Sequence, residues 1–231
     1  MDKLMPELMP DGVGSNADTA NERLVLVTSY GLSAYLERSP FIDFGNPAVV
    51  TLARRIRGQD NDKLALVRRA FEMVRDEFPH SWDVQRPVVT ASASQVVREG
   101  TGICYAKAHL LAALLRANGI PAGLAYQRLK RRSLAAPSTS HCIHGLTTVF
   151  LEEVGGWRRI DARGNRPGLS TAFNDDGDTL AFQLEPANGE LDYRTNHSEP
   201  HPLIVRTLKS NTDAMHMYRY GLLTDLPGEA V

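Results

Sequence analysis

The sequence has few cysteines, no long hydrophobic run and almost no net charge, and each shortage excludes a class of protein. Two cysteines in 231 residues are too few for a disulfide scaffold and favour a reducing compartment. No segment approaches the roughly 20 apolar residues that a membrane-spanning helix needs. The first residues also lack the cationic start and apolar run of a secretory signal. We therefore expect a cytoplasmic protein without a membrane partner.

The charged residues nearly cancel, with 26 Lys and Arg against 27 Asp and Glu and a formal net charge of -1. This balance provides no overall attraction to nucleic acid, so no nucleic-acid partner is expected. Hydrophobic residues make up 42% of the chain and charged residues 23%, which is the composition of an ordinary globular protein with a real core. The sequence leaves the oligomeric state open.

Helical patterns dominate the first half of the chain and strand patterns the second. Residues 1–21 show no periodicity and are interpreted as a loose N-terminal arm, and 22–37 as a strand entering a turn. Apolar spacing and capping signals predict helices over 46–57, 63–78, 95–99, 104–117, 202–209 and 211–220. Alternation predicts strands over 124–129, 143–152 and 157–161, with a further candidate at 180–184. With no repeat and no long linker, this order predicts a single α+β domain over 22–231, with its core at about 45–185.

The stretch 100–119 is the centre of this organisation. A glycine-rich turn, 100–102, delivers Cys104 onto the first turn of a long apolar helix that ends at Asn118-Gly119. Free backbone N–H groups and the positive end of the dipole at a helix start both favour a thiolate. The same N–H groups are able to hold an oxyanion.

A cysteine alone more often indicates a small packed side chain than a nucleophile, so its partners decide the interpretation. His144 opens one predicted strand, and Asp161 ends the next. Because the turn at 154–156 joins two antiparallel strands, the start of the first lies beside the end of the second. We therefore expect Cys104, His144 and Asp161 to meet as nucleophile, base and orienting acid.

The sequence around these residues resembles the transglutaminase-like superfamily, papain-like cysteine enzymes that make or break amide bonds. The matching stretches cover roughly residues 45–185: 74–78, 100–106, 118–122, 144–151 and 156–161. The resemblance assigns the nucleophile to Cys104, the base to His144 and the orienting acid to Asp161, on a papain-like core. Where the family often has Trp and Pro, this chain has Leu146 and Ala162, as in a bacterial single-domain sub-branch.

Three further residues are weaker candidates for the oxyanion site or the substrate cleft. Trp82 resembles the aromatic donor that some family members place beside the oxyanion, although a core tryptophan is an equal alternative. Gln127 either donates a hydrogen bond there or pairs within the sheet. Tyr105 directly follows the nucleophile.

The remaining cysteine and histidines receive structural interpretations. Cys142 and His144 share one side of a regular strand, and Cys142 is interpreted as a packed thiol. His109 lies off the helical face of Cys104 and is also interpreted as structural. A zinc site formed by Cys104, His141, Cys142 and His144 is a third alternative, but these residues lack paired ligand spacing. No cofactor and no metal are expected.

These patterns predict a cysteine-dependent hydrolase or acyltransferase that acts on an amide or peptide bond through an acyl-thioester on Cys104. The partner would be a peptide or small amide substrate. Hydrolysis is favoured over transamidation because no accessory domain is evident. The alternative is a non-catalytic binding module that keeps the same scaffold.

Overall fold

The computed structural model describes residues 24–58, 62–131 and 140–231. The predicted N-terminal arm, 1–21, lies outside these ranges. Within them the chain forms helices packed on an antiparallel sheet, and this arrangement confirms the α+β, papain-like fold class.

The helices begin where the sequence places their caps. The Asn46 side chain accepts from the Ala48 N–H at the start of α1, with Pro47 as its first residue, and Asp62 accepts from the Ala65 N–H at the start of α2. Ser92 and Gln95 form a complete capping box at α3. The α-helices are α1 Pro47–Arg57, α2 Lys63–Glu77, α3 Ala93–Glu99, α4 Cys104–Ala117, α5 Pro202–Ser210 and α6 Ala214–His216.

Four strands form the main sheet, in the order β4-β3-β2-β5, and every neighbouring pair is antiparallel. A two-stranded parallel sheet joins β1 to β6. The strands are β1 Val27–Thr28, β2 Ala122–Lys130, β3 His141–Leu151, β4 Gly156–Ile160, β5 Leu191–Asp192 and β6 Thr195–Asn196. The long central pair, β2 and β3, provides the surface on which the helices pack.

Helix α4 lies at the centre of the core, in contact with β2 and β3 and with α1, α2 and α3. Its side chains are therefore buried on nearly all sides, which explains why apolar residues occupy most of the helix and do not form a single stripe. Two hydrogen bonds fix it to β3: the Tyr105 hydroxyl donates to the Ile143 carbonyl at 2.7 Å, and the Thr147 hydroxyl donates to the Ala108 carbonyl at 3.1 Å. In the described ranges no helix is long and apolar enough to cross a bilayer.

Three elements differ from the sequence predictions. The candidate strand at 180–184 is wrong, because these residues form no strand and the nearest pairing is an isolated bridge between Ile160 and Thr179. The strand predicted within 22–37 shortens to β1 and is followed by a 3₁₀ turn at Leu32–Leu36. The last helix begins at Ala214 and ends in a π turn at Met217–Gly221. Strands of two residues, such as β5 and β6, are too short to show alternation.

Candidate active site

Packing and hydrogen bonds from neighbouring segments hold the turn before Cys104 in place. Gly100 closes α3 in the left-handed conformation, with a φ of 68°. At Gly102 a side chain would meet the Thr90 hydroxyl at 3.0 Å, so the close packing there requires glycine. The Ser81 N–H donates to the Gly102 carbonyl at 3.1 Å, and the Ser81 and Thr101 hydroxyls bond at 3.2 Å. These contacts fix where α4 begins.

Cys104 is the first residue of α4, a half-buried free thiol. Ile103 precedes it as the N-cap and offers no side-chain acceptor to the helix. The first N–H groups of a helix have no intrahelical partner, and here no capping side chain takes their place. A reacting oxyanion beside Cys104 would therefore meet backbone donors and the positive end of the helix dipole.

His144 and Asp161 meet at one edge of the main sheet. His144 lies near the start of β3 and Asp161 directly after β4, and both are buried. The His144 Nε2 atom lies 2.6 Å from Asp161 Oδ2. Because Nε2 is engaged by the acid, Nδ1 is the ring atom left for Cys104, whose charge raises the pKa of His144.

The charge state of His144 follows from these two neighbours. Burial alone lowers the pKa of His144, but the charges of Asp161 and Cys104 and the hydrogen bond to Asp161 outweigh burial and raise the pKa to about 10. The geometry thus favours the protonated, imidazolium form of His144.

Backbone donors hold the Asp161 carboxylate in place. The Arg163 N–H donates to Oδ1 at 3.0 Å, and the Ala181 N–H donates to Oδ2 at 3.3 Å. Phe182, from the same loop as Ala181, packs edge-on against the His144 ring with centroids 5.1 Å apart. The loop that was predicted as a strand therefore covers the histidine and its acid.

The three weaker candidates lie in different surroundings. The Tyr105 hydroxyl is engaged with Ile143, as described above. Gln127 lies opposite His144 in the β2–β3 register, and its amide nitrogen donates to Asp192 at 2.9 Å, the pairing within the sheet that the sequence left as an alternative. Trp82 stacks on Tyr218 with centroids 4.4 Å apart.

The other thiol and histidines have structural partners. Cys142 is half-buried, and burial raises its pKa to about 12, which keeps it a neutral thiol. His109 Nδ1 lies 2.7 Å from the Ala91 carbonyl, and burial lowers its pKa to about 4. His141 Nε2 lies 2.8 Å from the Asn188 carbonyl. Across the described part of the chain, no group of three potential ligands is arranged to hold a metal.

Charged residues that the sequence analysis did not single out surround the acid. Lys107 is fully buried one turn after Cys104, and it lines a narrow recess together with Cys104, Asp161 and Arg163. Arg163 forms a two-pronged ion pair with Asp83, whose second contact, Nη2 to Oδ1, measures 2.9 Å. The sequence signal for Lys107 is a cation within the apolar positions of α4.

Residues near the C-terminus form an aromatic wall beside the site. Tyr218 stacks on Trp82 and meets the His80 ring edge-on, and burial raises the Tyr218 pKa to about 12. Arg131 donates to the carbonyls of Tyr218 and Arg219 at 2.5 and 2.9 Å and holds this segment against the sheet.

With the fold and the site described, comparison with known proteins places the chain in a class. A family model described as the transglutaminase-like superfamily matches residues 50–162, which contain all three proposed catalytic residues. Over this stretch, a little under half of the chain, the sequence is similar to the transglutaminase-like superfamily. This similarity supports a cysteine-dependent hydrolase or acyltransferase as the general class. No curated protein sequence matches the chain.

Several solved structures are similar to part of the chain. A candidate cysteine protease from Cytophaga hutchinsonii is 19% identical, with a TM-score of 0.46 over 62% of this chain and 46% of that one. The periplasmic domain of TgpA from Pseudomonas aeruginosa is 22% identical, with a TM-score of 0.41 over 58% of this chain and 48% of that one. Red sea bream transglutaminase is 15% identical, with a TM-score of 0.36 over 57% and 25%. This chain thus matches less than half of each of these proteins.

Proposed function

We propose that the protein is a cysteine-dependent amidase or peptidase that acts through an acyl-thioester on Cys104. The observation that carries this proposal is the buried His144–Asp161 pair, with Nε2 and Oδ2 2.6 Å apart and the pKa of the histidine raised also by the charge of Cys104 at the start of α4. A buried imidazole between an acid and a thiol is the arrangement that nucleophilic catalysis by cysteine requires.

In the first half-reaction the Cys104 thiolate attacks the carbonyl carbon of the amide. The carbonyl oxygen becomes an oxyanion, which backbone N–H groups at the start of α4 stabilise. His144 then gives its Nδ1 proton to the leaving nitrogen, the C–N bond breaks and the amine departs. The acyl group remains on sulfur, and His144 is neutral.

In the second half-reaction neutral His144 takes a proton from water, which attacks the thioester carbonyl. The C–S bond breaks, the carboxylic acid leaves, and the thiolate and imidazolium form again. An amine in place of water would make the same site a transamidase. The substrate we propose is a peptide or small amide, with water as the acceptor.

The test measures the rate of iodoacetamide modification of Cys104 against pH. It uses a Cys142→Ser background, so that Cys104 is the one thiol that reacts, and Cys104→Ala in the same background as the blank. Asp161→Asn should slow alkylation at neutral pH, and His144→Ala should slow it further because it removes the counter-charge of the thiolate. Mass spectrometry of Cys104 after exposure to a library of activated amides should show an acyl adduct.

Identical alkylation curves for the parent and both variants would contradict the proposal. Cys104 would then have no catalytic partner, and the alternative of a binding module on this scaffold would replace the enzyme.

A further inference from the structure

Lys107 is a buried cation that the proposed mechanism does not use. It is fully inaccessible to solvent, on α4 three residues after Cys104, and its ammonium donates to the Phe78 carbonyl. A side chain at Gly164 would come within 3.5 Å of Nζ, so the ammonium also packs against the backbone just after Asp161. Lysine is almost never fully buried unless it is paired.

The charges that face Lys107 come from several elements. Arg163 and Asp161 follow β4, Asp83 and the buried His80 lie in the turn after α2, and Asp76 lies at the end of α2. Arg163 and Asp83 already neutralise each other through their ion pair. Asp161 has His144 as its hydrogen-bonded partner, which balances its charge only while the ring is protonated. Within the described ranges, Lys107 is the remaining buried cation that faces this acid.

On the basis of the proposed function, we propose that Lys107 is a positioning residue of the active site that supplies a counter-charge for Asp161. With this charge present, the Asp161 carboxylate is held where it accepts the Nε2–H of His144 in both half-reactions. Nδ1 then remains directed at Cys104 when the imidazole is neutral and must act as a base.

The energetics of burial agree with a functional role. Burial is the largest influence on Lys107, and together with the Arg163 cation it lowers the pKa to about 7 in spite of the three carboxylates. The folded protein therefore holds this cation at a cost. A side chain selected for packing alone would be apolar at this position.

The test compares three substitutions in the Cys142→Ser background. Lys107→Gln keeps a donor for the Phe78 carbonyl and removes the charge, whereas Lys107→Arg keeps the charge. Lys63→Gln is the matched control, because Lys63 is exposed on α2. Lys107→Gln should shift the curve of Cys104 alkylation to higher pH by about one unit, which is about a tenfold slower reaction at pH 7. Lys107→Arg should lie closer to the parent, and Lys63→Gln should match it.

A double mutant separates action through Asp161 from other effects. If Lys107 acts through the acid, Lys107→Gln should have no further effect in an Asp161→Asn background. If Lys107→Gln slows the alkylation of Cys104 as much in the Asp161→Asn background as in the parent, the inference is overturned. It is also overturned if Lys107→Gln gives the same alkylation curve as the parent while Asp161→Asn slows the reaction. A Lys107→Gln variant that fails to fold would assign the lysine a structural role and also overturn it. If the alkylation curve of Asp161→Asn matches that of the parent, the proposed function itself is wrong, and the inference that rests on it falls with it.

Discussion

Each end of α4 carries a buried cation, but the two cations differ in how many hydrogen-bond acceptors surround them. Arg116, in the last turn, donates to three backbone carbonyls: those of Ala122 at 2.9 Å, Glu37 at 2.7 Å and Ser198 at 2.5 Å. Lys107, near the first turn, has one such acceptor among the described residues, the Phe78 carbonyl. The two side chains are almost equally buried, with 3% and 0% exposure.

Helix electrostatics widen this difference. A cation is stabilised by the dipole at the C-terminal end of a helix and destabilised near the N-terminal end. Burial lowers the pKa of Arg116 only to about 10, so it remains a cation at every physiological pH. The Lys107 ammonium, in contrast, titrates near neutrality. Arg116 therefore acts as a cross-link between loops, whereas the charge of Lys107 is retained beside the proposed acid at a cost in stability.

The largest expected effect is at the structural end of α4. Arg116→Met should lower the free energy of unfolding by about 3–5 kcal/mol, because it removes a buried charged side chain and leaves one buried and two partly buried carbonyls without their donor. Chemical denaturation at pH 7 measures the loss, with Arg116→Lys as a control that keeps the charge and loses the forked geometry. A loss below about 1 kcal/mol would mean that water satisfies the carbonyls, and the contrast between the two ends would weaken.

The next largest effect is the pH dependence of the stability that Lys107 contributes, which distinguishes it from Arg116. Lys107 has a pKa of about 7 in the folded protein and an ordinary value of 10.5. Between these values the unfolded chain binds the proton and the folded protein does not, so the stability contributed at this site rises with pH. Lys107→Gln should be at least as stable as the parent at pH 7. The parent should then gain on it by up to about 1.4 kcal/mol per pH unit toward pH 10.

Denaturation curves of the parent and Lys107→Gln at several pH values measure this difference, and groups common to both proteins cancel. A gap that is independent of pH would show that the folded protein does not perturb this lysine. The distinction between the two cations would then rest on hydrogen bonding alone.

The smallest expected effect is that of replacing Cys142, the second thiol of the chain. Cys142→Ser should cost about 1–3 kcal/mol, the penalty for a newly buried hydroxyl, and should retain most of the activity. Calorimetry and the turnover of any amide that acylates Cys104 check both parts. A loss of activity as complete as that of Cys104→Ala, in protein shown to be folded, would make Cys142 part of the chemistry.

The sequence predicted the functional end of α4 better than its surroundings. Gly100, the Ser92 capping box and the hairpin between His144 and Asp161 are local signals, and each fixes structure within a few residues. The ion pair between Arg163 and Asp83 and the stack of Tyr218 on Trp82 join distant parts of the chain. Such contacts depend on the assembled fold, and no local pattern indicates them. The roles of Cys104, His144 and Asp161 in catalysis stay predictions.

The stack of Tyr218 on Trp82 also has a consequence for biosynthesis. The proposed nucleophile, base and acid all lie within residues 50–162, but the aromatic wall beside them comes from Met217–Gly221, which is synthesised later. Because domains generally fold as units while the chain is made, the wall closes beside the thiol only after residue 221 has left the ribosome. This segment thus determines when, during synthesis, the site acquires its final shape.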